Sequence, residues 1–168
     1  MAVGKTTVGK RLSYKLNMPF IDTDKEIEIK EKMQINQIFS KLGEKDFRKI
    51  EEKTILNCIL NNNYGFIMSL GGGAFINSTI RNVIQSSGIS IWLNANIEII
   101  ESRIKNTKNT RPLLNKIKTR EKLISLLKER NSFYNKADIK IDIIRSSKEK
   151  MAQITIDNLL NFLKSRDA

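Results

Sequence analysis

The sequence contains no histidine, a single cysteine and only two prolines, and aromatic residues make up 7% of it. The lack of histidine excludes Ser-His-Asp and Cys-His catalysis, His-ligated zinc and imidazole acid–base chemistry. No disulfide can form within the chain, and the apolar stretch "TILNCIL" predicts that Cys58 is a small buried hydrophobic residue rather than a nucleophile. Catalysis must therefore use carboxylates, Lys, Arg, backbone amides or a hard metal ion, which are the groups of phosphoryl transfer.

Long hydrophobic runs are also missing. No apolar stretch approaches the roughly 20 residues that span a bilayer, and the amino terminus shows no signal-peptide pattern. We therefore expect a cytoplasmic protein that does not bind membranes. Its 168 residues are expected to form one domain, residues 1–168, with a substantial core.

Acidic residues are scarce relative to basic ones, with 18 Asp and Glu against 30 Lys and Arg and a net charge of +12. Such an excess favours anionic partners, which include nucleotides, acidic metabolites and nucleic acid. The alternative is compositional drift towards Lys, Asn and Ile, which leaves most of the lysines on a solvated surface.

Short apolar runs alternate with longer amphipathic segments. The runs "MPFID", "YGFIMSL", "ISIWLNA" and "IKIDII" predict buried parallel strands. The segments between them predict helices at 5–16, 24–32, 43–61, 77–86, 96–106, 119–131 and 148–165. This alternation predicts an α/β fold, a three-layer parallel sheet with helices on both faces.

The opening "MAVGKTTVGK" matches the second half of a phosphate-binding loop, G-x-x-x-x-G-K-[ST]. In such a loop, backbone N–H groups and a helix amino terminus surround phosphate oxygens. Gly4 and Thr7 would contribute to this cradle, Lys5 would reach the β- and γ-phosphates, and Thr6 would bind Mg²⁺. Helix capping by a chance Gly-Lys-Thr is the alternative on this stretch alone.

In "FIDTDKEIE", two aspartates stand at the predicted end of a strand, the edge at which α/β sheets bind ligands. Asp22 would support Mg²⁺, and Asp24 would face a substrate hydroxyl. The alternative is a capping box formed by Thr23 and Glu26, which leaves both aspartates unexplained.

Arginines and glycines form a third group. Arg48 lies near a predicted helix start, Arg130 lies near a helix end, and a glycine triplet follows a predicted strand. Glycines allow close backbone approach to a ligand and can present amides to an anion. A cation that complements the helix dipole is the alternative for Arg130. Arg111 falls on a polar stretch that predicts a lid, at about 105–118. The glycines are Gly71, Gly72 and Gly73.

Taken together, "GKTTVGK", "FIDTD", "GEKDFR", "SLGGGAF", "RPLL" and "ERNSFY" resemble the shikimate kinase family, in the order and with the approximate spacings of that family. The resemblance covers roughly residues 1–145. It implies a P-loop fold like that of nucleoside monophosphate kinases, with a five-stranded parallel sheet. It also implies transfer of the ATP γ-phosphate to the 3-hydroxyl of shikimate, with Mg²⁺, on the route to chorismate and aromatic amino acids.

The resemblance also implies roles for individual residues. Asp24 would hold the shikimate hydroxyls and accept a proton, while Arg48 and Arg130 would bind the shikimate carboxylate. The glycine triplet would complete that pocket, and a helical region at about 25–61 would bind the substrate. Arg103 would lie against adenine, and Arg111 would meet the nucleotide phosphates. The family-like expectation is a monomer with ATP and shikimate as its small-molecule partners.

One departure concerns the front of the pattern, because the leading P-loop glycine and the strand before it precede Met1. We expect Met1 to be an internal residue of the loop, and a chain that truly begins there to bind ATP weakly. Comparing ATP affinity with and without an upstream extension tests this expectation.

Three other functions remain open from the residues. They are a kinase of the same fold that acts on gluconate or another small metabolite, a basic nucleic-acid-binding module and a catalytically inactive relative. A nucleic-acid module would interleave aromatics with its basic residues for stacking, whereas the aromatics here lie mostly within apolar runs.

Overall fold

Four short parallel strands alternate with seven helices in the residues that the computed structural model describes, 3–105 and 119–166. The strands are β1 (Phe20–Asp22), β2 (Ile67–Ser69), β3 (Ile91–Asn94) and β4 (Ile139–Asp142). The helices are α1 (Lys5–Leu16), α2 (Thr23–Glu31), α3 (Ile35–Leu60), α4 (Ser78–Ser87), α5 (Ile97–Lys105), α6 (Arg120–Tyr134) and α7 (Lys148–Arg166). A 3₁₀ helix, Ala74–Ile76, precedes α4. The predicted α/β class and all four predicted strands are confirmed.

The strands pair in two groups. Strand β1 is parallel to β2, with Phe20 opposite Ile67 and Asp22 opposite Ser69. Strand β3 is parallel to β4, with Ile91 opposite Ile139. No strand pairing joins the two groups within the described residues, so the parallel sheet consists there of two separate two-stranded pieces.

The largest hydrophobic cluster lies beneath α1, α6 and α7. Val8 and Leu12 of α1 recur at helical spacing, so they share one face, and they pack with Ile139 and Ile141 of β4 and with Met151 of α7. Alternate residues of β4 are buried and exposed, which shows that this strand has one solvated face. The cluster therefore fixes α1, whose first turn carries the phosphate-loop residues, against β4 and α7.

Helix α3 is longer than the predicted segment 43–61. It begins at Ile35, and the backbone leaves helical geometry at Gly43, where φ is 78° and ψ is 175°. Gln34 and Gln37 cap the start through a bond from the Gln34 amide to Gln37 Oε1 at 2.9 Å. The turns before Gly43 form because Ile38 is fully buried against Ile27 and Phe47.

No helix in the described ranges is long and apolar enough to cross a membrane. The lid predicted at about 105–118, including Arg111, falls almost entirely on residues 106–118, which lie outside the described residues.

Candidate active site

The phosphate-loop residues stand at the amino end of α1. Gly4 is its N-cap, with φ 89° and ψ 24°, a left-handed conformation that favours glycine. The Val8 amide donates to the Gly4 carbonyl at 2.9 Å, so the helix begins directly after the loop. Lys5, Thr6 and Thr7 form the first helical turn, where the positive end of the helix dipole favours an anion.

Arg103 of α5 lies beside this loop. A Cβ placed on Gly4 would be 3.4 Å from Arg103 Nη1, so the guanidinium is in contact with the loop backbone. The structure therefore places a side chain from a distant helix beside the predicted phosphate loop.

Thr6 and Asp22 are joined across the edge of the β1–β2 sheet. Thr6 Oγ1 donates to Asp22 Oδ2 at 2.8 Å, and Asp22 Oδ1 accepts from the Asp24 amide at 3.2 Å. The pair offers one hydroxyl and one carboxylate, which are ligands that Mg²⁺ accepts when waters and phosphate oxygens complete its shell. Within residues 3–105 and 119–166 there is no group of three or more acidic, His or Cys side chains that could hold a metal. Thr6 and Asp22 supply two oxygen donors, which form part of an Mg²⁺ shell.

The capping-box alternative at Thr23 and Glu26 is wrong. Asp22 is the N-cap of α2, and Thr23 is its first helical residue. The Thr23 side chain is fully buried, and its hydroxyl donates to the Ser69 carbonyl at 3.2 Å and accepts from the Gly71 amide at 3.0 Å. Thr23 therefore joins the start of α2 to the glycine turn, residues 71–73.

Asp24 and Glu51 lie against the beginning of this turn. A Cβ placed on Gly71 would be 2.5 Å from Glu51 Oε1 and 2.9 Å from Asp24 Oδ1, so only glycine leaves room for both carboxylates. Glu51 is 2% exposed and pairs with Arg48 Nη1 at 2.6 Å.

Arg48 lies against the other end of the turn. A Cβ placed on Gly73 would be 2.6 Å from Arg48 Nη2 and 2.7 Å from Nη1. Its guanidinium also pairs with Glu44 at 3.1 Å. The space that a Cβ would take at Gly71 or at Gly73 is filled by neighbouring polar side chains. The glycine turn is therefore a site of close packing.

Arg130 and Tyr134 of α6 hold the middle of the turn. Arg130 Nη1 donates to the Gly72 carbonyl at 3.0 Å, and the Tyr134 hydroxyl donates to the same oxygen. Arg130 is 4% exposed, and its Nε has no hydrogen-bond partner among the described residues. Arg130 precedes the last turn of α6, which contains no basic residue, and its guanidinium is turned towards the glycines. The alternative of a cation that complements the helix dipole therefore does not account for its position.

Burial and ion pairing shift the pKa values of three groups here. It raises the pKa of the Glu51 carboxyl above its ordinary value, although the Arg48 charge acts in the opposite direction. Burial also raises the pKa of the Tyr134 hydroxyl, so the phenol stays protonated and available as a donor. Burial opposes the charge of Arg48, but Glu51 outweighs it, and the pKa of Arg48 is raised.

Among the residues that the structure describes, the predicted site residues form two adjoining groups. The first group is predicted to bind phosphate and is called the phosphate side; it contains Gly4, Lys5, Thr6, Thr7, Asp22 and Arg103. The second is predicted to bind the phosphoryl acceptor and is called the acceptor side; it contains Asp24, Arg48, Gly71, Gly72, Gly73 and Arg130. They meet at α2, where Asp22 and Asp24 are bonded to each other. A separate groove of about 290 Å³ between α2 and α3 contains none of these residues. It is lined in part by Cys58, which is half-buried, so the prediction of a buried cysteine is correct only in part.

Sequence reasoning missed three residues that hold this site, namely Thr23, Glu51 and Tyr134. Glu51 stands three residues after Arg48, a spacing that allows an ion pair on a helix and was the available signal. Tyr134 stands four residues after Arg130, which places both on one face of α6.

The fold with Thr6 and Asp22 at a sheet edge and an N-cap glycine at α1 defines the class of P-loop kinases.

Comparison with known proteins identifies the family within this class. The family model described as shikimate kinase matches residues 1–160. The chain belongs to the shikimate kinase family.

Curated relatives and solved structures agree with this. The chain is 37% identical to the shikimate kinase of Bartonella henselae over 163 residues, which are 97% of this chain and 76% of the relative. It is 35% identical to that of Mesorhizobium japonicum, covering 95% of this chain and 77% of the relative. The structure of shikimate kinase from Acinetobacter baumannii in complex with shikimate superposes with a TM-score of 0.86 at 32% identity, covering 96% of this chain and 89% of the other.

Proposed function

We propose that this chain transfers the γ-phosphoryl group of ATP to the 3-hydroxyl of shikimate, giving ADP and shikimate 3-phosphate for aromatic amino acid biosynthesis. Membership of the shikimate kinase family supports this function. The observation that carries it is the buried Arg130, whose Nε has no hydrogen-bond partner among the described residues and which shares the glycine turn with Arg48. A pair of arginines in this position suits a substrate carboxylate, which a guanidinium binds through two parallel hydrogen bonds.

On the phosphate side, the amides after Gly4 bind phosphate oxygens, and Lys5 neutralises charge on the β- and γ-phosphates. Thr6 and Asp22 would hold Mg²⁺, which neutralises phosphate charge when it is bound. Arg103 contacts the nucleotide from α5. Arg111, on the lid predicted at about 105–118, meets the nucleotide phosphates.

On the acceptor side, Arg48 and Arg130 bind the carboxylate of shikimate, and the glycine turn allows its ring to approach the backbone. Asp24 accepts a hydrogen bond from the 3-hydroxyl. As the hydroxyl oxygen forms a bond to the γ-phosphorus, the bond from that phosphorus to the β,γ-bridging oxygen breaks. The hydroxyl proton passes to the Asp24 carboxylate, and the bridging oxygen leaves with ADP.

We also propose a domain organisation and an oligomeric state for the chain. Residues 1–168 act as one domain, in which the helical region at about 25–61 binds the acceptor. The protein works as a cytoplasmic monomer without a nucleic-acid or membrane partner. Light scattering on the purified protein tests the monomer, which has a mass of 19.3 kDa.

A coupled ADP-release assay tests the function across shikimate, gluconate and nucleoside monophosphates. We expect turnover with shikimate and background rates with the others, because only shikimate combines a ring with a carboxylate suited to both arginines. Turnover with gluconate but not with shikimate would contradict the proposal.

A matched pair of variants tests the role of Asp24 in that assay. We expect Asp24→Asn to lower kcat by about 100-fold or more, because the amide cannot accept the proton. Asp46→Asn is the control, since Asp46 is exposed and pairs only with Lys49 among the described residues. Equal rates in the two variants would exclude Asp24 as the proton acceptor.

A further inference from the structure

Thr23 joins two parts of the site that lie far apart in the sequence. Its hydroxyl donates to the Ser69 carbonyl at the end of β2 and accepts from the Gly71 amide at the start of the glycine turn. A hydroxyl has one proton to donate, and here that proton and one lone pair are both used. Since Thr23 is fully buried, water cannot replace either bond without a movement of the backbone.

The position of Thr23 in α2 links these bonds to the reacting groups. Asp22, the preceding residue, accepts from Thr6 on the phosphate side. Asp24, the following residue, has its Oδ1 2.9 Å from where a Cβ on Gly71 would lie. A shift of Gly71 relative to Thr23 therefore changes the distance between the Asp24 carboxylate and the glycine turn.

The turn is held from α6 as well. Arg130 and Tyr134 both donate to the Gly72 carbonyl. Gly72 is thus fixed from α6, and Gly71 is fixed from α2. If the bond to α2 is lost, the α6 bonds still hold Gly72 while Asp24 moves with α2, so the two halves of the acceptor site separate.

We propose that Thr23 is a positioning residue for the acceptor substrate, whose hydroxyl sets the placement of Asp24 relative to the glycine turn. This role rests on the proposed function, because it presumes that Asp24 and the turn contact shikimate. It goes beyond that function because it assigns the geometry of the acceptor site to Thr23, a side chain that does not touch the substrate.

Two substitutions separate the hydroxyl from the shape of the side chain. Thr23→Val keeps the shape and removes both hydrogen bonds, whereas Thr23→Ser keeps the hydroxyl and removes a methyl group. We expect Thr23→Val to raise the KM for shikimate about 10- to 100-fold, because the Gly71 amide and Ser69 carbonyl are left without partners. The KM for ATP should change less than about threefold, and Thr23→Ser should restore most of the affinity for shikimate.

Thr155→Val is the matched control. Thr155 is also fully buried, and its hydroxyl donates to the Met151 carbonyl at 2.8 Å within α7. Thermal unfolding of both variants shows how much stability a buried hydroxyl contributes, and Thr155→Val should leave the KM for shikimate unchanged. If Thr23→Val does not fold, the comparison of Thr23→Ala with Thr23→Ser decides in its place.

A KM for shikimate within about twofold of the wild type in Thr23→Val, or in Thr23→Ala, would overturn the positioning role. An equal loss in Thr23→Ser would also overturn it, because packing of the methyl group would then account for the effect. An equal rise in the KM for ATP would overturn it by showing a general disturbance. A wild-type protein without shikimate turnover would instead overturn the proposed function itself, so the two failures are distinguishable.

Discussion

Glu51 shows at the scale of single residues how burial and charge compete in this site. Its carboxylate is almost fully buried, and it pairs with Arg48 at 2.6 Å while the Asp24 carboxylate lies nearby. Burial is the strongest influence, and it raises the pKa of Glu51. We therefore expect the pair to hold the Arg48 guanidinium beside Gly73 more than to stabilise the fold.

Replacing Glu51 tests that role. We expect Glu51→Gln to raise the KM for shikimate about five- to tenfold, because Arg48 loses the charged partner that orients it. Glu44→Gln is the control, since Glu44 is about half exposed and its pair with Arg48 at 3.1 Å is weaker. Steady-state kinetics on both variants make the comparison, and equal values of KM would contradict the assignment to Glu51.

The pH dependence of stability gives a second readout on Glu51. Its ordinary pKa is 4.5, and the folded protein raises it, so the folded state binds this proton more tightly than the unfolded state. The contribution of Glu51 to stability is therefore fully present below pH 4.5, and it is lost as the pH rises through the folded-state pKa. Wild type should gain stability relative to Glu51→Gln as the pH falls from neutral, measured by denaturant unfolding. A gain as the pH rises would show the opposite shift.

At the scale of elements, α3 depends on one glycine. The helix spans Ile35–Leu60, but Gly43 has φ 78° and ψ 175°, a region that is essentially closed to residues with a side chain. This break lets the first turns pack Ile38 against α2 while the second part presents Arg48 and Glu51 to the glycine turn. The kink therefore allows one helix to serve both the small cluster and the acceptor site.

We expect Gly43→Ala to lower the free energy of unfolding by about 1–3 kcal/mol, because the new side chain is strained even though the space around it is open. Gly88→Ala is the control. Gly88 has φ −166°, an extended conformation, and its Cβ would be in ordinary contact with the Ile84 carbonyl at 3.7 Å. Urea denaturation measures both variants, and equal losses would contradict the role of the backbone at Gly43.

At the scale of the whole molecule, one hydrophobic cluster connects the phosphate loop to the β3–β4 sheet. Ile141 is 3% exposed at the centre of β4, and it belongs to the same cluster as Val8 and Leu12 of α1. The clusters under α2 and α4 are smaller. The free energy of unfolding should therefore depend mostly on the large cluster. The geometry of the acceptor site should depend mostly on the smaller clusters under α2 and α4.

Ile141→Ala tests this division. We expect it to lower the free energy of unfolding by about 2–5 kcal/mol, because it removes buried methyl groups and leaves a cavity. The KM for shikimate in the folded fraction should stay near the wild-type value. Ile29→Ala is the control, because Ile29 is 70% exposed and its loss should cost less than about 0.5 kcal/mol. Urea denaturation gives both values, and a similar cost for the two would contradict the prediction.

Much of the fold was predictable because its signals are local. Buried parallel strands are continuous apolar runs, and helices such as α1 repeat Val8 and Leu12 on one face. The first turns of α3 were missed because Gly43 resembles a helix start, while the actual start at Ile35 depends on burial of Ile38 in a tertiary contact. The candidate site residues were predicted from motifs and family resemblance, and their individual roles stay predictions.

By itself, the sequence determined the chemistry that this protein can perform. The absence of histidine excludes imidazole chemistry, while Lys5 and Thr6 after a glycine and two aspartates at the end of a strand are residue types suited to phosphoryl transfer. Only the tertiary structure decided which groups meet. Thr23 bonds Gly71 across 48 residues, and Arg130 bonds Gly72 across 58 residues. Such contacts depend on how β2, α2 and α6 pack, and packing is a property of the whole chain that no local pattern contains.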